Sequence, residues 1–331
     1  MLDQRLLPTR KVWRDVTGAK DAYEFIREMV VRGAPLIGVL AAFGLAIGVQ
    51  RVRGLDPAGM RRRLASDAEF ISSARPTAVN LARATRRVFE AGCRGASVRE
   101  MKERALLEAE AIMEEEREMN MKIGENGAAL LKDGDTVLTH CNAGALATVE
   151  LGTALAPVRV AIAQGKDVKV VATETRPALQ GARLTAFELM EDKIDVTLIC
   201  DTMVGLVLSR GMADKVLLGA DRVLADGTVY NKIGTYQVAV LARRHGVPFY
   251  SVFPRSTFDL HSLAGQVRIE ERDPSEVTTI RGRRIAPKGV KVFNPAFDST
   301  PPELVSGYVT DRGLEQPPFE EAIVHPLVSS D

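Results

Sequence analysis

Cysteine is scarce: Cys93, Cys141 and Cys200 are the only three in 331 residues, and none forms a CxxC pair. Three such thiols build no disulfide framework, which points to a reducing compartment and away from a structural zinc site. An excess of one charge is also lacking. Lys plus Arg number 44 and Asp plus Glu 43, for a net charge of +1. The basic surplus of a nucleic-acid binder is missing. The four histidines (His140, His245, His261, His325) are scattered and no HExxH occurs, so nothing supports a metal site. Neither GxxxxGKS/T nor a GxGxxG after a strand is present, which removes the usual nucleotide and dinucleotide cradles and weakens any nicotinamide-linked chemistry. No cofactor is implied. The start, Met1-Leu2-Asp3-Gln4-Arg5, has an early acid and no apolar h-region, unlike a signal peptide. One uncharged run of eighteen residues, Gly33–Gln50, approaches the length of a membrane span. It holds Pro35 and four glycines, and no second run follows, so it reads as a buried helix of a cytoplasmic protein without a membrane partner.

What is present is ordinary globular composition, 46% hydrophobic and 26% charged, at a length that suits two domains. Ala22, Phe25, Ile26, Met29 and Val30 fall on one helical face. Pro35 suits the first turn of the next helix, and Arg61-Arg62-Arg63 lies on another. Ser72–Pro76 breaks the pattern, Val79–Glu90 resumes it, and a long acidic helix runs from Ser97 to Asn120. Beyond Asn126 short apolar strands alternate with helices: Thr136–His140, Val168–Thr173, Val196–Cys200, Lys215–Leu218 and Phe249–Phe253. Helices are expected at Ala147–Gln164, Gln180–Glu191, Met203–Ser209 and Ile233–His245. Alternation of this kind makes parallel βαβ units. The expected fold is α/β: a small helical domain over 1–128, then a Rossmann-like, doubly wound parallel-sheet domain over 129–331.

In open α/β sheets ligands bind beyond the carboxyl ends of the strands. Five strand ends here carry polar residues: Cys141-Asn142, Glu174-Thr175-Arg176, Asp201, Asp221-Arg222 and Arg255-Ser256-Thr257. Cys141 follows its strand directly and precedes a tight loop expected to lead into a helix, whose N-terminus would activate a thiol. Asp221 is the natural acid or base beside it. Asn231-Lys232-Ile233-Gly234 reads as a helix start with a lysine, a seat for an anion. Arg32-Gly33-Ala34 opens a helix with a guanidinium fork, and Arg75 sits in the break before Pro76. Together these favour a phosphorylated small molecule as substrate. Cys93 and Cys200 read as small buried hydrophobes.

Several longer runs resemble the methylthioribose-1-phosphate isomerase family. They are Arg32-Gly33-Ala34-Pro35, Arg75-Pro76-Thr77-Ala78-Val79-Asn80-Leu81, Thr139 to Gly144 and Glu174-Thr175-Arg176-Pro177. Gln180 to Ala186, Gly219-Ala220-Asp221-Arg222, Asn231 to Tyr236, Glu270 to Pro274 and Asn294-Pro295-Ala296-Phe297-Asp298 continue the match, which runs in order from Leu2 to Pro318. The resemblance implies an aldose–ketose isomerase of methionine salvage, and so of methionine biosynthesis. It interconverts 5-methylthioribose 1-phosphate and 5-methylthioribulose 1-phosphate, and works as a homodimer. It implies Cys141 and Asp221 as the catalytic pair, with Arg32, Gly33, Ala34, Arg75, Gln180, Asn231 and Lys232 on the substrate. The chain departs from the family at Asp226-Gly227-Thr228, Tyr230 and Arg255. A tyrosine and an arginine near the rim would reshape the pocket for the 5-substituent. 5-Deoxyribose 1-phosphate is therefore an alternative substrate, and so is ribose 1,5-bisphosphate, whose isomerases share the fold and reaction logic, although Arg75 to Asn80 and Gln180 to Ala186 favour the methylthio sugar. The same fold also resembles non-catalytic regulatory subunits of the eukaryotic translation-initiation exchange factor, against which the retained Cys141 and Asp221 argue.

Overall fold

The computed structural model describes residues 1–75 and 78–317; Pro76, Thr77 and everything from Pro318 on, His325 included, lie outside the described residues. Two compact units are formed, one of Met1–Met119 with Ala145–Gly152, the other of Asn120–Gly144 with Thr153 onward.

The first unit is helical: α1 (Ala19–Arg27), α2 (Ala34–Gln50), α3 (Pro57–Ser72), α4 (Val79–Cys93) and most of α5 (Val98–Ala128). The uncharged run is α2. It packs against α1, α3 and α4, and Ile37, Leu40, Leu45 and Val49 are each 2% exposed or less. A helix apolar all round belongs inside a core, and no helix among the described residues is long and apolar enough to cross a membrane. The start of α3 is fixed by Asp56, whose carboxylate accepts the Gly59 N–H at 2.7 Å.

The second unit begins inside α5, which runs eight residues past the expected end at Asn120. Gly124 and Gly127 there are not breakers. They let α5 lie directly on Ala156, Pro157 and Val160 of α6 (Ala156–Ala163), where any Cβ would collide. The strands β1 (Thr136–Thr139), β2 (Lys169–Thr173), β3 (Val196–Ile199) and β4 (Lys215–Leu218) alternate with α6, α7 (Ala186–Glu191) and α8 (Val204–Ser209). Then come β5 (Arg222–Leu224), β6 (Val229–Lys232), α9 (Thr235–His245), β7 (Phe249–Val252), β8 (Phe258–Asp259), β9 (Thr279–Ile280), β10 (Arg283–Arg284), β11 (Phe297–Thr300), β12 (Gly307–Thr310) and β13 (Gly313–Glu315).

The main sheet has the order β13-β12-β7-β4-β1-β2-β3. Every pair in it is parallel except the terminal β12–β13 hairpin. Its core includes Leu138, Val216, Leu218, Phe249 and Tyr308, all 1% exposed or less. The mostly parallel, helix-alternating architecture is the expected one. A second sheet, β11-β6-β5-β8, and the β9–β10 hairpin are additions.

The expected helix Ala147–Gln164 forms only in its second half. Gly152 N–H turns back to Thr148 Oγ1 at 3.0 Å, and Thr153 and Leu155 N–H go to the Ala143 carbonyl at 2.9 and 3.4 Å. Side-chain and loop acceptors thus take donors that a helix would have used. Only a three-residue 3-10 turn, Ala145–Ala147, precedes α6.

Candidate active site

Because β7, β4, β1, β2 and β3 are parallel neighbours, their carboxyl ends share one edge of the sheet. Along that edge stand Arg255, Asp221, Cys141, Glu174 with Thr175, and Asp201, in that order. The chain steps outward from β1 to β2 and β3, then returns to lay β4 on the other side of β1. The reversal makes β1/β4 the topological switch point, where open α/β sheets form their ligand crevice. Cys141 follows β1 and Asp221 follows β4, so the two candidate catalytic residues flank that point. Thr139 Oγ1 donates to the Leu217 carbonyl at 2.9 Å and ties the two strands at this end. Gly219 lets the two loops touch: a Cβ there would stand 3.1 Å from the Ala143 methyl. Asp221 is exposed, and its N–H is held by the Tyr230 carbonyl at 2.9 Å.

Cys141 is half-buried and left-handed, with φ of 65°. A non-glycine residue there is strained and persists only when its surroundings hold it. Its N–H donates to Thr175 Oγ1 at 2.8 Å, and its carbonyl accepts from Thr185 Oγ1 at 2.6 Å. Thr175 is left-handed as well, at φ 62°. Its N–H and that of Arg176 donate to the two Asp201 carboxylate oxygens at 2.8 and 2.7 Å. The ends of β1, β2 and β3 are therefore joined by hydrogen bonds through the cysteine backbone. No helix starts at Cys141; the expected helix-terminus setting is replaced by these hydroxyl and carboxylate clamps.

His140 lies beneath, 3% exposed. Its Nε2 donates to the Ile233 carbonyl at 2.8 Å, so Nδ1 accepts from Thr173 Oγ1 at 2.6 Å. Burial pushes its pKa down, which fits this neutral tautomer.

Asn231 and Lys232 do not open a helix. They end β6, and α9 starts three residues on, capped by left-handed Gly234. The anion seat at that helix start is already filled by a carboxylate of the protein. Asp298, on β11 opposite Asn231, accepts the N–H of Gly234 at 2.7 Å and of Tyr236 at 3.2 Å. Burial pushes its carboxyl up to about 6. Lys232 Nζ donates to the Ala296 carbonyl at 3.0 Å and lies 4.6 Å from the centre of the Phe297 ring. Gln180 directly precedes a π turn, Gly181–Thr185, and its Oε1 is buried with no hydrogen-bond partner among the described residues.

Cys141, Asp221, Gln180, Asn231 and Lys232 thus belong to the α/β unit, whereas Arg32, Gly33, Ala34 and Arg75 belong to the helical one. There Gly33 caps α2 at φ 102°, backed by the Ala147 backbone, and Arg75 lies between α3 and α4. The two departures near the rim are turned inward. Arg255 Nη1 reaches Glu315 at 2.5 Å, and Tyr230 is 7% exposed within the second sheet. Cys200 is exposed, not packed, because β3 is the sheet's edge strand. Among the described residues no cluster of three His, Cys, Asp or Glu side chains could hold a metal ion. The strand-end pattern already marks Thr175 and Asp201, but it gives no role to Thr185, Glu188, His140 or Asp298. Only His140, next to Cys141, carried a local hint.

A polar rim on a parallel sheet, with a thiol and a carboxylate at its switch point, defines a small-molecule enzyme of the α/β class. The pattern of the initiation factor 2 subunit family matches residues 30–317. The chain belongs to that family. It is 51% identical over 322 residues to a methylthioribose-1-phosphate isomerase of Thermosipho africanus, covering 97% of this chain and 93% of that one. To a 5-deoxyribose 1-phosphate isomerase of Moorella thermoacetica it is 49% identical over 331 residues, covering 99% and 94%. The crystal structure of 5-methylthioribose 1-phosphate isomerase from Pyrococcus horikoshii superposes with a TM-score of 0.94 at 42% identity, covering 100% of this chain and 93% of that one.

Proposed function

We infer that this protein is an aldose–ketose isomerase converting 5-methylthioribose 1-phosphate to 5-methylthioribulose 1-phosphate in methionine salvage. The observation that carries this reading is the thiol–carboxylate pair at the β1/β4 switch point, in a chain about half identical to isomerases of that name. The chemistry needs two such groups. The anomeric carbon carries phosphate, so no free aldehyde forms, and ring opening requires a proton at the ring oxygen. A hydrogen then passes from C2 to C1, and the C2 hydroxyl gives up its proton as C2 becomes a carbonyl. Asp221 donates to the ring oxygen and takes the proton from the C2 hydroxyl, which leaves it as it started. Cys141 acts at C1–C2, as acid/base or by stabilising the intermediate. A site that excludes water would favour a hydride shift from C2 to C1, and a wet one an enolate. Solvent deuterium at C1 of the product would rule out the direct shift.

Arg32, Gly33, Ala34, Arg75, Gln180, Asn231 and Lys232 take the substrate contacts in this reading. Arg32, Arg75 and Lys232 supply its positive charge. A second substrate, 5-deoxyribose 1-phosphate, is favoured by the Moorella thermoacetica relative named for it. We take the enzyme to be a cytoplasmic homodimer. Exposed Leu198 on edge strand β3, with Met203 and Leu206 on α8 or just before it, offers an apolar face for a second copy.

The test is a direct assay of methylthioribose 1-phosphate against ribose 1,5-bisphosphate, with wild type, Cys141→Ser and Asp221→Asn. Each variant should lose at least about 10²-fold in kcat on the methylthio sugar. If both keep full activity, the site assignment is wrong.

A further inference from the structure

The strained Cys141 loop is gripped from one side by a single element, the π turn Gly181–Thr185 continuing into α7. Thr185 Oγ1 donates to the Cys141 carbonyl and accepts from Asn142 Nδ2 at 3.1 Å. One turn on, the Glu188 carboxylate accepts a short hydrogen bond from the same Asn142 Nδ2. Asn142 and Glu188 are each 5% exposed. The other carboxylate oxygen of Glu188 is held by Arg159 at 2.9 Å, and Arg159 is itself anchored to Asp192 at 2.6 Å. Gly144 completes the arrangement, since a Cβ there would land inside the Glu188 carboxylate. A buried carboxylate with a fixed counter-ion is a stiff support, and here its other oxygen holds the residue next to the thiol.

We propose that Glu188 is a positioning residue for the reaction: through Asn142 it locks the left-handed conformation that presents the Cys141 thiol. The proposal rests on Cys141 being a catalytic residue. Without Glu188, Asn142 loses its charged acceptor, and Cys141 can relax toward an ordinary backbone conformation. Of the proposed substrate contacts only Gln180 adjoins this element, on the far side of the turn from Glu188, so the loss falls mainly on turnover and not on binding.

Glu188→Ala, Glu188→Gln and Asn142→Ala test this, each measured for kcat, for KM and for the alkylation rate of Cys141 by iodoacetamide, followed on the Cys141 peptide by mass spectrometry. Glu188→Ala is expected to lower kcat about tenfold or more with KM within about twofold, as a slightly misplaced reactive group does. It should also change the Cys141 alkylation rate at least about threefold. Glu188→Gln keeps an amide oxygen for Asn142, and Arg159 keeps Asp192, so it should recover most of both. A residue that merely stabilised the fold would not separate kcat from KM or be rescued in this way. Asn142→Ala breaks the same bond while leaving Glu188–Arg159 intact, so it decides the matter if Glu188→Ala does not fold. Wild-type kcat and wild-type alkylation in a folded Glu188→Ala or Asn142→Ala protein would overturn the proposal. Full activity of Cys141→Ser would instead overturn the catalytic reading, and altered alkylation could still show the clamp.

Discussion

Asp298 lends itself to a quantitative test because two effects oppose each other there. Its carboxylate caps α9 through the N–H groups of Gly234 and Tyr236, and Lys232 lies close by; all three favour the charged form. Burial favours the neutral form and outweighs them, raising the carboxyl from 3.8 to about 6. The folded protein therefore binds more protons than the unfolded chain between about pH 4 and pH 6. The stability that this group contributes is fully present below about pH 4 and is lost as pH rises through 6. At about 1.4 kcal/mol per pH unit, the loss is about 3 kcal/mol by pH 7.5. Asn at 298 stays neutral at every pH and offers one acceptor oxygen where the carboxylate offers two, a cost that does not vary with pH. Asp298→Asn should therefore gain about 2–3 kcal/mol on wild type between pH 4 and pH 7.5. In urea unfolding, with m of about 2–3 kcal/mol/M, the midpoint difference moves by about 1 M in the variant's favour over that range. Circular dichroism at the two pH values reads it, and subtracting wild type from variant cancels the other titrating groups. A difference that stays constant with pH, or a variant that grows weaker relative to wild type toward pH 7.5, would refute the reasoning.

Two further perturbations probe the groups beneath and beside the rim. His140→Phe leaves the Ile233 carbonyl buried without the imidazole donor and Thr173 Oγ1 with only Thr175 Oγ1, at 3.2 Å, and should cost about 1–3 kcal/mol in thermal or urea unfolding; a loss under about 0.5 kcal/mol would show that the imidazole bridges nothing of consequence. Arg255→Met strands the carboxylate of Glu315, whose side chain is 11% exposed, and should cost about 3–5 kcal/mol. Adding Glu315→Leu should restore most of that loss, and a double variant no better than the single one would contradict the pairing.

The fold was legible where local pattern decides it. Val137–Leu138, Val170–Ala172 and Val216–Leu218 are short buried apolar runs, each preceded by a polar residue and followed by threonine or glycine, and the uncharged α2 could only be core. Elements that depend on distant partners were not. β5, β6 and β11 are three or four residues long, and β11 joins β6 across more than sixty residues of chain. No periodicity marks such strands. Gly124 and Gly127 illustrate a related point. A glycine that ends a helix and one that admits a neighbouring helix look alike until the neighbour is in place.

The site divides along the same line. Cys141 and Asp221 could be picked out because a strand end is a local feature, and strand order then places them together at the switch point. Thr175 and Asp201 were visible by the same rule, as the ends of β2 and β3, but not as clamps on the cysteine backbone, because that role needs the neighbouring strand in place. Thr185 and Glu188, on the turn and helix after β2, and Asp298, on β11, follow no strand-end pattern. The last of these also reverses the reading of the Asn231–Gly234 turn. With its helix amides already bonded to Asp298, the proposed substrate contact at that turn falls to the Lys232 ammonium and not to the helix start. That ammonium is held in advance by the Ala296 carbonyl and the Phe297 ring. In the proposed reading the turn is a mounting for a pre-oriented cation, which would suit selection of one phosphate or sugar oxygen better than general attraction of negative charge.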